Sequence, residues 1–291
     1  MNEKNDYLAK SLAFNGEIRI YAARTTALVN KANKIVSAYP TAAAAIGRTL
    51  TATAMMGCML KGRETVTVRI NGGGPIGLIV ADATADGKVR GYASNPRVHF
   101  QYDSGKLNVG MAVGTAGALY VTKDLGLKDY FTGQVPLQTG EIGDDFTYYF
   151  TQSEQTPSAV GLGVLVSPEN EVLAAGGFII QVMPNASEEA ISALEKSLTT
   201  IKPVSDMIAA GMTPEEMIAT LVGIDHFKIL ETVPLAFECN CNKEKFIPGL
   251  TALGHEELDA MIKEDKGAEA VCHFCRQTYS FTAEELEGLK V

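Results

Sequence analysis

Cysteine is almost missing from the first four-fifths of this 291-residue chain. Residues 1–238 hold a single cysteine, Cys58, and the other four stand at Cys239, Cys241, Cys272 and Cys275. The opening stretch MNEKNDYLAKSLAFNG lacks the unbroken apolar run of a secretory signal, so a cytoplasmic chain is expected. Structural disulfides are rare in that reducing compartment, which argues against a stapled fold. The sequon Asn185-Ala186-Ser187 then carries no glycosylation. A basic excess is missing too. The formal net charge is -9, and residues 231–291 carry 12 acidic against 6 basic side chains. Binding to a phosphate backbone rests on Lys and Arg, so no nucleic-acid partner is expected. Long apolar runs are scarce. The one candidate, TAAAAIGRTLTATAMMGCML (Thr41 to Leu60), has the length of a membrane span. Arg48 near its middle, four threonines and two glycines dilute it. It reads as a buried core helix opened by Pro40, with Cys58 a small core hydrophobe and no membrane partner.

What is present reads mainly as strand up to about residue 183. Short apolar or alternating runs recur at 18–24, 65–70, 77–83, 88–93, 118–122, 160–166 and 172–183. Turn clusters such as NGGGP, TADG, SNP and SPEN separate them, and a second helical stretch falls near 144–155. Runs of strands with few helices between predict an antiparallel α+β domain. GGGPIG, Gly72 to Gly77, fits G-x-G-x-x-G letter for letter. However, Pro75 and LIVADA follow it where a dinucleotide site needs a helix, so a hairpin turn is expected.

Helical signals take over after Met183. Ser187 opens a helix to about Thr200 with Ile191, Leu194 and Leu198 on one face. Pro203 starts a second, and Thr213-Pro214-Glu215-Glu216 is a capping box opening a third. Helices this short depend on tertiary packing, so they must lie on another part of the protein.

Cys239-x-Cys241 and Cys272-x-x-Cys275, 30 residues apart, supply four soft thiolates, enough for a closed tetrahedral site. Zinc is the expected ion, although an all-thiolate site also suits iron. LAFECNCNKEKF and AEAVCHFCRQTYSF alternate like hairpins, with Leu250, Leu253 and Leu258 on helical turns between. About 60 residues build little core unaided, and structural zinc supplies folding energy to such modules. His255 and His273 are read as bystanders to a completed shell. Three roles stay open at this point: a permanent cross-link, a thioredoxin-like dithiol at 272–275, or a metal site that doubles as an oxidation trigger. A disulfide across one intervening residue closes a small strained ring, a labile and regulatory kind of bridge.

YAARTT, GRTL, GGGPIG, SNPRVHF, VGTAGALYVTKDLGLKDYFTGQV, GEIGDDFTYYFTQSEQTPS and AAGGFIIQVMP stand in the chain together with the cysteine tail. With this set of motifs the chain resembles the heat shock protein 33 family of bacterial chaperones. It implies a core domain at 1–184, a helical linker at 185–230 and a zinc-binding switch domain at 231–291. Cys239, Cys241, Cys272 and Cys275 would hold one zinc ion when reduced. Oxidation would pair 239 with 241 and 272 with 275, eject the metal and unfold tail and linker. The implied activity is an ATP-independent holdase for unfolding client proteins, monomeric when reduced and dimeric when oxidised, and not an enzyme. A thiol–disulfide oxidoreductase using 272–275 is the alternative. The family has serine after C-x-C where this chain has Asn242, which bears on local hydrogen bonding alone.

Overall fold

The arrangement of this protein follows from one helix of small residues and the sheets that close over it. The computed structural model describes residues 5–290. They form two units, one ending at Glu238 and one starting at Cys239. The larger unit begins with β1 (Tyr7–Ala13), β2 (Ile18–Arg24), α1 (Thr26–Val36) and α2 (Pro40–Gly57). Next come β3 (Thr65–Asn71), β4 (Ile79–Thr84), β5 (Lys88–Ala93), α3 (Val109–Val113), β6 (Ala118–Asp124) and β7 (Phe131–Pro136). Then follow α4 (Gly143–Gln152), β8 (Ser158–Val166) and β9 (Val172–Val182). Helices α5 (Glu188–Thr200), α6 (Val204–Ala209) and α7 (Pro214–Val222) precede β10 (Phe227–Pro234) and β11 (Ala236–Phe237).

Two sheets result, ordered β10-β1-β2-β9-β8 and β11-β5-β4-β3-β6-β7. The short β11–β5 pair is parallel and the others are antiparallel. The expected α+β class is what is found. Helix α2 touches β3, β4 and β5 of one sheet and β8 and β9 of the other. Every residue of it except Pro40 and Arg48 is buried. Its alanines let the sheets approach closely, and its threonines satisfy themselves within the helix. Thr49, Thr51 and Thr53 donate to the carbonyls of Ala45, Gly47 and Thr49 at 2.9, 2.8 and 2.7 Å. Among the described residues, no helix is long and apolar enough to cross a membrane. Cys58 caps α2 in the core, and burial pushes its thiol up to about 12.

GGGPIG joins β3 to β4 as a hairpin, with a strand where a nucleotide fingerprint needs a helix. A side chain at Gly72 or Gly74 would overlap the backbone at 112–114, which runs against this turn. Elements not anticipated from sequence are β1, α1, α3, β7 and β10.

The five-stranded sheet is buried on both faces. Leu8, Tyr21, Ala23, Ala175 and Ile179 belong to the core around α2. Ala9, Ile20, Ala22, Phe178 and Ile180 lie in a second core with Leu194, Met207, Ile208, Met217, Ile218 and Leu221 of α5–α7. The short helices therefore gain their stability from the sheet they cover. Glycines let α6 come close. A Cβ at Gly163 would overlap the Ser205 backbone nitrogen, and one at Gly176 would overlap the Ile208 side chain. Polar contacts add to the seat. The Ser187 hydroxyl donates to Glu17 at 2.6 Å and caps α5, and the Tyr7 hydroxyl donates to Glu215 of α7 at 2.7 Å. Thr213 and Glu216 complete the expected capping box.

The smaller unit holds a single-turn 3₁₀ segment at Lys243–Phe246, α8 (Ile247–Thr251), α9 (His255–Ala260), the hairpin β12 (Gly267–Val271) and β13 (Thr278–Thr282), and α10 (Ala283–Glu287). Its buried apolar cluster is Leu258, Phe281 and Leu286, with half-buried side chains around it. One hairpin of the two expected forms. Around C-N-C-N the chain turns instead, because the Asn242 side chain accepts the Lys245 N–H at 3.1 Å and caps the 3₁₀ segment. Leu250 and Leu258 lie on helices as expected, while Leu253 sits between them, 47% exposed. Residues 231–238, grouped with the tail from sequence, run along the larger unit as β10 and β11.

Candidate metal centre

Two local structures bring the four tail cysteines together. Cys272 to Cys275 occupy the turn between β12 and β13. There Arg276 N–H donates to the Cys272 carbonyl at 2.8 Å and Cys272 N–H to the Gln277 carbonyl at 2.9 Å. Arg276 takes a left-handed φ of 60°, which folds the turn back tightly enough to aim both sulfurs the same way. Cys239 and Cys241 precede the 3₁₀ segment capped by Asn242. In this chain the asparagine supplies the local hydrogen bond in question at that position.

Cys239 Sγ lies 3.8 Å from Cys272 Sγ, and Cys241 Sγ lies 3.2 Å from Cys275 Sγ. All four sulfurs fall within 4.8 Å of one another. Ligands at a Zn–S distance of about 2.3 Å in a tetrahedron have sulfurs about 3.8 Å apart. The donor set and its spacing fit a four-coordinate thiophilic cation. Both of these contacts run between the two cysteine pairs, as expected of a cage closed by both arms. Cys272 is buried and the other three are half-buried. Neither His255 nor His273 is part of the group.

The electrostatics agree with the geometry. Desolvation first, then hydrogen bonds with the three neighbouring thiols, push the Cys275 thiol up to about 12. Four crowded sulfurs cannot ionise together without a compensating charge, and a divalent cation is one. Sequence reasoning missed Tyr279. Its hydroxyl lies 3.2 Å from Cys241 Sγ and donates to the Cys241 carbonyl at 3.1 Å, and the Cys241 contact leads in raising it to about 12. Its ring packs on Phe246 at 5.3 Å. The alternation of β13 gave the only signal, since it puts Tyr279 and Phe281 on one face. Lys243 ties the first cysteine arm to α10 through Glu285 at 2.5 Å. The C-x-x-C turn sits between strands and not at a helix N-terminus, the setting that activates thioredoxin-like thiols.

A two-unit α+β protein with a tetrathiol centre in the smaller unit is thus the class that fold and site define. The model of the family described as Hsp33 protein matches residues 6–282, and the chain belongs to this family. A 33 kDa chaperonin of Bacillus pumilus (strain SAFR-032) is 58% identical over 98% of each chain. One of Staphylococcus carnosus (strain TM300) is 58% identical over 98% of this chain and 97% of its own. The crystal structure of the 33 kDa chaperonin (heat shock protein 33 homolog) of Thermotoga maritima superimposes with a TM-score of 0.88 at 35% identity. It covers 98% of this chain and 96% of its own.

Proposed function

We propose that this chain is a redox-regulated, ATP-independent holdase that captures unfolding proteins after its zinc-binding cysteines are oxidised. Membership of a family with relatives named chaperonins supports the general role. The tetrathiol cluster carries the specific reading, because it stands in a unit with so small a buried core. In the reduced state Cys239, Cys241, Cys272 and Cys275 hold one zinc ion, which supplies the cross-link that this core lacks.

Oxidation acts on the sulfurs. One thiolate of a pair attacks peroxide, becomes a sulfenic acid and releases hydroxide. Its neighbour attacks that sulfur, closes the S–S bond and displaces a second hydroxide. Two electrons pass from two sulfurs to one peroxide, which ends as two waters once protonated. Cys239 pairs with Cys241 and Cys272 with Cys275, the neighbours along the chain. With all four thiolates consumed, the ligand set is gone and the tail loses its main source of stability. The switch region around 231–291 and the linker 185–230 then unfold, while the core 1–184 persists. Apolar side chains of the linker and of the sheet under it become available to clients. The reduced protein is a monomer, and the oxidised form is a dimer that acts in the cytoplasm under oxidative and heat stress.

The test measures zinc, free thiols and suppression of client aggregation before and after peroxide. About one equivalent of zinc, silent reduced protein and active oxidised protein are expected. Well under half an equivalent of zinc, or equal activity in both states, overturns the reading. The Cys58→Ser variant is expected to keep its redox response, since burial holds that thiol protonated.

A further inference from the structure

The outer edge of β1 is covered by a strand from an unusual place in the chain. β10 lies after the helices α5–α7 and ends five residues before Cys239. It pairs antiparallel along all seven residues of β1, from Tyr7 opposite Pro234 to Ala13 opposite Phe227. The pairing slips between Lys10 and Ser11, where Leu230 is the extra residue of a bulge and stands 56% exposed. Five of the eight β10 residues are exposed. Phe227 and Ile229 rest half-buried on the core beneath α5–α7, and Val233 is buried in the core around α2. One ion pair, Lys10 with Glu231 at 2.8 Å, adds to this seat. The strand is thus lightly held, and it spans the junction of the two segments whose release the proposed function requires.

β1 itself is unlike an ordinary edge strand. Sheet edges that face solvent permanently are blunted by proline, charge or bulges, because bare N–H and C=O groups recruit other chains. β7 carries Pro136, and β8 carries a register shift at Leu165. β1 reads YLAKSLA, with no proline, no glycine and one charge. It has the composition of an interior strand and depends on β10 to stay one.

We propose that the edge of β1, uncovered when β10 leaves, docks an extended client segment as a replacement antiparallel strand. Main-chain hydrogen bonds give such pairing its affinity, and alternate side chains give it selectivity. The seat of β10 defines the occupant. It is an extended stretch of unfolding polypeptide with apolar residues in the places of Phe227 and Ile229 on one face and of Val233 on the other, the faces exchanging at the bulge, and no basic residue opposite Lys10. Soluble folded proteins bury such stretches and expose them on unfolding. This inference rests on the holdase reading and specifies where its client binds.

Locking β10 in place tests it in the full chain. Lys10→Cys with Glu231→Cys puts thiols at a facing pair, where antiparallel Cα spacings of roughly 4.5–5.5 Å suit a disulfide. Peroxide closes this bond in the same treatment that oxidises the tail, with the pairings mapped by mass spectrometry. The locked protein is expected to lose its zinc as the wild type does, yet to fail to suppress aggregation of heat-unfolded citrate synthase. The Glu231→Cys single variant, on the departing strand, is expected to stay active. Hydrogen exchange on the oxidised wild type gives a second readout that needs no engineered bond. The amides of residues 7–13 that bond to β10 should lose protection on oxidation and regain it with citrate synthase bound, while those that bond to β2 keep it. A locked protein as active as wild type overturns the proposal and leaves the holdase reading standing. So does an edge that stays protected throughout, or one that stays open with client bound. An oxidised wild type without holdase activity overturns the holdase reading itself.

Discussion

The two units solve the problem of staying folded in opposite ways. Residues up to Glu238 bury a helix of small side chains between two sheets and then cover one sheet again with three helices. Residues from Cys239 bury Leu258, Phe281 and Leu286 and bring four thiols within 4.8 Å. Area buried from water holds the first. On the proposed function the second relies on a bonding centre as well, because its fully buried cluster is small. A fold held by area resists local chemical attack, whereas one held by sulfur is only as durable as its thiolates. The difference makes the smaller unit a suitable sensor and the larger one a suitable frame.

The comparison breaks most directly at the metal. Cys272→Ser, or a strong chelator, removes a contribution of about 10–16 kcal/mol from the smaller unit. The expected result is loss of ordered amide signals for 239–290 with those of 7–182 retained. Ordered signals in a zinc-free tail would show that its own core is sufficient.

The next largest effect lies where α6 rests on glycine. Gly163→Ala puts a methyl group where the Ser205 backbone lies, so α6 must lift. Val204, Met207 and Ile208 then lose burial worth about 1.5–3 kcal/mol each in part or whole. Residues 204–209 are expected to lose exchange protection, and the reduced, zinc-bound protein should suppress aggregation. Activity confined to the oxidised form would mean that α6 does not guard the client surface.

A pH dependence sharpens the same contrast, since Asp6 lies in the larger unit. Burial raises Asp6 to about 6, against the Leu28 N–H donating to it at 2.7 Å and Arg24 nearby. A carboxyl raised in the folded state favours folding fully below its ordinary value of 3.8, and this contribution is lost as pH rises through 6. Between pH 4 and 6 the group costs the larger unit roughly 1–3 kcal/mol. Asp6→Asn should remove that slope from urea midpoints measured across the range. An unchanged slope would place the titration elsewhere.

Ser187→Ala is expected to have the smallest effect, about 1 kcal/mol for a lost N-cap, together with the bond to Glu17. It should lower the peroxide dose that half-activates the protein without activating it when reduced. A dose response identical to wild type would show that the start of α5 does not limit release.

Much of this molecule was legible in the chain because the signals were local. Ser187, Thr213 and Pro214 act on backbone groups within one turn, and their helices begin where they indicate. The alternation at 18–24 and 88–93 matches β2 and β5 to the residue. Cysteine chemistry depends on residue type more than on context, so four thiols in two tight pairs pointed to one centre. β1, α1, β7 and β10 were not legible, since their apolar spacing is uneven and their partners are distant in sequence. β10 is the clearest case. FKILETVP becomes a strand because β1, more than 200 residues earlier, offers it an edge. The seating of α5–α7 was equally undecided, because an apolar helix face does not specify which surface will cover it. Composition and spacing pointed to the α+β class and to the clustering of the four tail thiols. Only the tertiary structure decided that Tyr279 would reach Cys241, that glycines of β8 and β9 would admit α6, and that the chain leading to the cysteines would close a sheet edge. Each depends on pairing distant segments, and pairing energy is a property of both partners together.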